Sequence, residues 1–213
     1  MLTDLGLMLG GVPWTLALTG AAFAMGLILG FPLCAMRLSR LPLLSLGASL
    51  IVLTLRSIPP IVWLFFIFFG LGGEWLPISP FAAAVLGLGL ITAAQMSEVY
   101  RGALLAIPSG QFEAATVLNL SRRQRFFDVV LPQLVKVAIP SAATYAIGLL
   151  KDSAVASTLG VAEVSFQAYK LSQESFSGLA VYATAALVYL VLSLPVALFS
   201  RWLDARLRQR SAT

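Results

Sequence analysis

Histidine is absent from this chain, cysteine occurs once, and only 11% of its 213 residues are Asp, Glu, Lys or Arg. Each shortage removes a class of chemistry. Without histidine there is no Ser-His-Asp triad, no zincin-type helix and no imidazole metal site. A lone Cys34 forms no disulfide within the chain. No Gly-x-x-x-x-Gly-Lys-Ser/Thr segment occurs, so the chain is not expected to hydrolyse ATP by itself. Paired carboxylates and a Gly-x-Ser-x-Gly element are also missing, which leaves serine and carboxylate chemistry without a framework. The chain is expected to be non-catalytic, with no catalytic residue, no metal and no cofactor of its own.

What is present is apolar: 59% of the residues, against a charged share far below the ~25% of an ordinary soluble domain. One soluble domain cannot hide that much apolar surface, so an all-α integral membrane protein is expected. The net charge of +5 is compatible with nucleic acid, but the basic residues cluster at the ends of apolar runs. Membrane topology accounts for that placement, and no nucleic-acid partner is expected.

A spanning helix needs about 20 mostly apolar residues. Five segments qualify: 12–36, 43–70, 79–106, 130–150 and 177–202. They divide the chain into a short extracytoplasmic N-terminus (1–11), a membrane domain (12–203) containing a polar loop (107–129), and a basic cytoplasmic tail (204–213). The start lacks the basic region of a secretory signal, so the first span is expected to be retained. Arg37 and Arg40, then Arg122, Arg123 and Arg125, then Arg201, Arg206, Arg208 and Arg210 all fall on one side of a five-span chain. The other side holds Asp4, Glu74, Asp152, Glu163 and Glu174, with Lys170 and Lys151. The positive-inside rule then places the N-terminus outside and the C-terminus in the cytoplasm. Ala22, Gly26 and Gly30 recur every four residues on the first span, and Ala83 and Gly87 on the third. Such spacing lets helix backbones approach closely in lipid.

A few charges fall within the apolar segments. Arg56 lies in mid-span by length, where a guanidinium costs about 3 kcal/mol and is expected to face protein or water. Pro59 and Pro60 follow it and kink or break the helix. Glu98 lies in the third span with Arg101 one turn on, at a depth within reach of Arg56. The pair reads either as a structural tie between helices or as part of a transport path. Lys151, Asp152 and Ser153 end the fourth span on the outer side. With the following 157–163 they read as an interfacial loop or as part of an outer gate.

The polar loop carries the most specific pattern. Glu113, Ala114 and Ala115 are followed by three residues, then Asn119, then nine residues, then Val129-Val130-Leu131-Pro132. A short helix is expected up to Leu118, closed by Asn119, which tolerates the left-handed conformation. Ser121 with Gln124 reads as a capping box that starts the next helix. Small Ala114 and Ala115 leave room for a partner surface, and Glu113 offers it a carboxylate. By chemistry alone the loop reads equally as a solvated connector.

This spacing resembles the EAA loop of ATP-binding-cassette (ABC) importer permeases: Glu-Ala-Ala, three residues, Gly, nine residues, Ile-x-Leu-Pro. The departure is Asn119 in place of Gly. Further stretches are similar to permeases for polar amino acids: Arg56-Ser57-Ile58-Pro59-Pro60, Ser97-Glu98-Val99-Tyr100-Arg101-Gly102, Leu150-Lys151-Asp152-Ser153, and Gly160-Val161-Ala162-Glu163. Ala154 and Ala156 depart from the usual residues of the last segment. The resemblance implies the type I importer permease fold. It implies that Glu113, Ala114, Ala115, Asn119, Arg122 and Arg123 couple to a separate ATPase dimer, which binds the ATP. It also implies a second permease copy or paralogue, a periplasmic or lipid-anchored binding protein that delivers a polar amino acid, and a place in the bacterial inner membrane. The rival reading is an ion-gradient-coupled carrier, which needs no docking loop but does need an ionisable relay. Glu98, Asp152 and Glu163 are few and scattered for that role.

Overall fold

Proline stands in the first turn of five of the described helices. Its fixed φ suits the first helical turn, where its missing N–H is no loss. The computed structural model describes residues 2–72 and 77–209, with side chains from residue 5 onward except 204 and 207–209. Glu74 and the end of the basic tail therefore lie outside the described residues. Helix α1 (Leu2–Leu9) leads into α2 (Val12–Arg37), α3 (Pro42–Ser57) and α4 (Pro60–Phe65), which a π-helical turn extends over Phe66–Leu71. Then come α5 (Pro80–Leu105), α6 (Ser109–Val117), the short α7 (Arg122–Gln124) with a π-helical turn Arg125–Val130, and α8 (Leu131–Asp152). A 3-10 segment (Ser153–Leu159), α9 (Val164–Ser175) and α10 (Gly178–Gln209) complete the described residues.

Four continuous helical stretches are long and apolar enough to cross a membrane: Leu5–Arg37, Pro80–Leu105, Arg122–Leu159 and Gly178–Leu203. The predicted segment 43–70 is not one rod. Its halves, α3 and α4 with the π turn, are bent by 105° at the Ile58-Pro59 break. Ile58 is extended (ψ 132), as a residue before proline must be, and Pro60 restarts the helix at its first turn. The N-terminal segment 1–11 is also more than a terminus. Leu2–Leu9 is helical and buries Met8 against Val164, Ala168 and Val188 of α9 and α10.

The centre of the fold is the pairing of α2 with α5. Gly26 lies against Thr92 so closely that an added Cβ would sit 2.2 Å from its Cγ2. Gly30 meets Met96 in the same way, with a Cβ 2.6 Å from the Met96 Cβ. The small-residue repeat thus marks this interface, where backbones touch because no side chain intervenes. Residue numbers rise together along the two helices, so α2 and α5 run parallel. Ala83, Ala84 and Leu88 of α5 then pack on Leu18, Leu64, Ile67 and Leu149 in the main core.

Candidate functional site

Three elements converge on Glu98. Arg37, at the end of α2, donates from Nη2 to Glu98 Oε1 at 2.9 Å. Arg101, one turn along α5, donates from Nε and Nη2 to Oε2 at 3.0 and 2.8 Å. Arg56, at the end of α3, reaches Oε1 at 3.5 Å as an ion pair. Pro59 and Pro60 turn the chain just beyond Arg56, so the break sets where that guanidinium stands. Arg56 and Glu98 meet, as their depth suggested, but they are not an isolated buried pair. The Arg56 side chain is 44% exposed, and the tighter partners of Glu98 are Arg37 and Arg101. The role of Arg37 was not legible from the chain because its position at the end of an apolar run already explains an arginine there.

The polar loop folds as its sequence suggests. Helix α6 stops at Val117, and Asn119 takes a positive φ of 52. Ser121 Oγ then accepts from Gln124 N at 3.3 Å, while Ser121 N donates to Gln124 Oε1 at 3.0 Å. This closed capping box starts α7. Glu113, Ala114, Asn119, Arg122 and Arg123 are exposed. Ala115 is not: it is 2% exposed, so it packs within the loop and does not lie on the open surface. The open surface instead carries Val117 and Leu118, 85% and 70% exposed. A sequence reading centred on the acidic and alanine positions passes over these two.

The segment after α8 forms a second constellation. Lys151 and Asp152 are exposed and make no ion pair with the Glu98 cluster among the described residues, while Ser153 is buried and donates to Leu150 O at 2.7 Å. Gly160 takes φ 88, a left-handed turn that closes the 3-10 segment and leads to Glu163. Glu163 is fully buried. Its Oε1 accepts from Phe166 N at 2.8 Å, capping α9, and its Oε2 accepts from the Tyr189 hydroxyl on α10. Ser165 Oγ shares that hydroxyl at 2.9 Å. Thr15 on α2 accepts from Val164 N at 3.3 Å. Burial pushes the Glu163 carboxyl up, and these donors offset part of the rise. One side chain therefore ties the loop to α9 and α10, although the sequence showed it only as an outer-side charge in the Gly160–Glu163 stretch. Next to it opens a cavity of about 670 Å³ lined by Ser157, Thr158, Leu159, Ser165, Phe166 and Tyr169 among others, a wall more apolar than polar. Its volume falls in the range of small-molecule sites, and a few hydroxyls interrupt a largely apolar wall.

Residues 12–209 match the family described as "Binding-protein-dependent transport system inner membrane component". The chain is 34% identical over 201 residues to the octopine transport system permease protein OccM of Rhizobium radiobacter, covering 89% of this chain and 81% of the relative. It is 33% identical over 197 residues to the arginine ABC transporter permease protein ArtQ of Haemophilus influenzae, covering 89% and 88%. Among solved structures, a crystal structure of an amino acid ABC transporter with histidines superposes with a TM-score of 0.90 at 28% identity, covering 97% of this chain and 96% of that one.

Proposed function

The chain belongs to the family of binding-protein-dependent transport system inner membrane components, and from that premise we propose that it forms the translocation path of an ABC importer for a polar amino acid. The observation that carries this reading is the loop from α6 to α7. Helix α6 is closed by the left-handed turn at Asn119 and leaves Val117 and Leu118 in the open, one turn from the exposed Glu113. Exposed apolar side chains on a polar loop mark a docking surface. The partner in this reading is an ATPase dimer, which supplies the hydrolysis that this chain does not perform.

In this reading the protein lies in the bacterial cytoplasmic membrane with five crossings, N-terminus outside and C-terminus inside. The parallel course of α2 and α5 supports the fifth crossing. A chain that leaves α2 on one side must return to the other before it starts α5 in the same direction, so the bent pair α3–α4 has to cross. The arginines then fall on the cytoplasmic side together with α6. ATP-driven closure of the partner dimer moves α6, and α5 and α8, which flank it in the chain, carry the motion to the cavity near Gly160. A binding protein delivers the amino acid there, and a second permease copy or paralogue completes the path. The relatives' names, octopine and arginine, support an amino-acid cargo.

The test is uptake of radiolabelled amino acids in cells expressing the chain with its partner ATPase and binding protein. Uptake is expected to stop when ATP is depleted and to persist when an ionophore collapses the ion gradients. The reverse pattern would establish the gradient-coupled carrier instead.

A further inference from the structure

The Glu98 cluster is not electrically closed. One carboxylate faces the guanidiniums of Arg37, Arg56 and Arg101, and no other ion pair to these arginines occurs among the described residues. Three cations against one anion leave two positive charges. Donors are left over as well. Arg56 makes an ion pair at 3.5 Å but no hydrogen bond, and Arg101 uses only Nε and Nη2 on Glu98. The side chains of Arg56 and Arg101 are 44% and 37% exposed, so the surplus charge is accessible. Around it the surface is apolar: Leu53 lies one turn before Arg56, Leu105 one turn after Arg101, and Leu38 beside Arg37, at 62%, 69% and 49% exposure. Free guanidinium donors bordered by exposed leucines form an amphiphilic site.

We propose that Arg56, with Arg101 beside it, binds the phosphate of an anionic phospholipid headgroup, with the acyl chains lying along the exposed leucines of α3 and α5, while the buried Arg37 adds charge from behind. Guanidinium forks match phosphate geometry, and a phosphodiester brings the charge that the cluster lacks. A zwitterionic amino acid fits less well. Its ammonium would need a carboxylate, and both oxygens of Glu98 are already engaged by arginines. The site ties lipid to the point where α2, the α3–α4 break and α5 meet. The proposal depends on these helices being in a membrane, but not on the direction of insertion or on the cargo.

The purified chain, with the subunits it assembles with, is titrated in detergent with short-chain phosphatidylglycerol, short-chain phosphatidylcholine and inorganic phosphate, and retained lipid is counted by native mass spectrometry. Selective retention of phosphatidylglycerol is expected, weakened about fivefold in Arg56→Gln and largely kept in Arg56→Lys, since one arginine near a lipid surface contributes about a fivefold change in affinity. Equal retention of phosphatidylcholine by the parent protein would overturn the proposal without any variant. So would unchanged phosphatidylglycerol affinity in an Arg56→Gln protein that elutes and assembles like the parent. Complete competition by inorganic phosphate would reduce the site to a free-anion site, and competition by an amino acid would assign it to cargo. Either result would refute the lipid assignment.

Discussion

Glu98 and Arg56 differ in what their loss would do, although they touch. Glu98 is the only anion at the cluster among the described residues and holds Arg37, whose side chain is 12% exposed. Removing it strands buried positive charge, which costs roughly 3–5 kcal/mol. Glu98→Ala is therefore expected to melt well below the parent in detergent and to assemble poorly. Arg56 is half-exposed, and its ion pair is the longest of the three, so Arg56→Ala should cost under about 1 kcal/mol. Exchanging the two charges should not rescue assembly, because an arginine at 98 would face Arg37 and Arg101. Equal destabilisation by the two single changes, or rescue by the exchange, would show that the pair acts alone. At Glu163 the sign of a pH effect can be worked out. A carboxyl whose folded pKa is raised contributes stability that is complete below its unfolded value of about 4.3 and is lost as pH rises through the folded value. Glu163→Gln keeps the side chain's shape and an oxygen acceptor without the titration. The melting temperature of the parent relative to this variant should fall as pH rises above about 4, and a flat difference would show that the carboxyl is not raised.

At the scale of elements, the loop between α5 and α8 separates fold from docking. Asn119 has φ 52, which a β-branched residue adopts only with strain. Asn119→Val is expected to lower the thermal stability of the assembled protein, and Asn119→Gly to leave it near the parent. Leu118→Glu touches no buried contact, since Leu118 is 70% exposed. It should leave insertion intact and abolish co-purification of the ATPase. Normal co-purification would place docking elsewhere. Ala115→Trp is a poorer probe, because a buried alanine reports on packing as much as on docking. These elements also show what a sequence discloses. The Ala22-Gly26-Gly30 repeat marks the α2–α5 contact because close approach demands small residues in a fixed period. Asn119, Ser121 and Gln124 mark the turn and the cap because local hydrogen bonds decide both. The 105° bend at Pro59 is legible as a break but not as an angle, since packing against α5 sets the angle. Helix α1 is missed because eight residues carry too little periodicity and its burial depends on α9 and α10. The Tyr189 grip on Glu163 joins positions 26 residues apart and leaves no local signature.

For the whole molecule, the proposed topology rests on the direction of α5. Gly26 meets Thr92 and Gly30 meets Met96, so α2 and α5 cross the membrane in the same sense. If α3 and α4 were a re-entrant loop, α5 would begin on the side where α2 ends, and the two helices would run antiparallel. The observed packing favours the five-crossing proposal, in which the bent pair is a crossing made of two short helices. In the proposed five-crossing arrangement Arg37, Arg122, Arg123 and Arg201 share one face, which the positive-inside rule would assign to the cytoplasm. A reporter active only in the cytoplasm should therefore work when inserted after Gly110 in α6 or fused at the C-terminus, and fail when inserted after Gly72. A single cysteine introduced as Ser177→Cys, in a chain whose Cys34 is replaced by Ala, should react with a membrane-impermeant thiol reagent added outside intact spheroplasts. A cysteine at Arg123 should react only after the membrane is opened. A cytoplasmic signal from the position after Gly72, with the α6 signal unchanged, would mean that α3 and α4 turn back. The parallel α2–α5 pairing would then have to be abandoned along with the five-crossing arrangement.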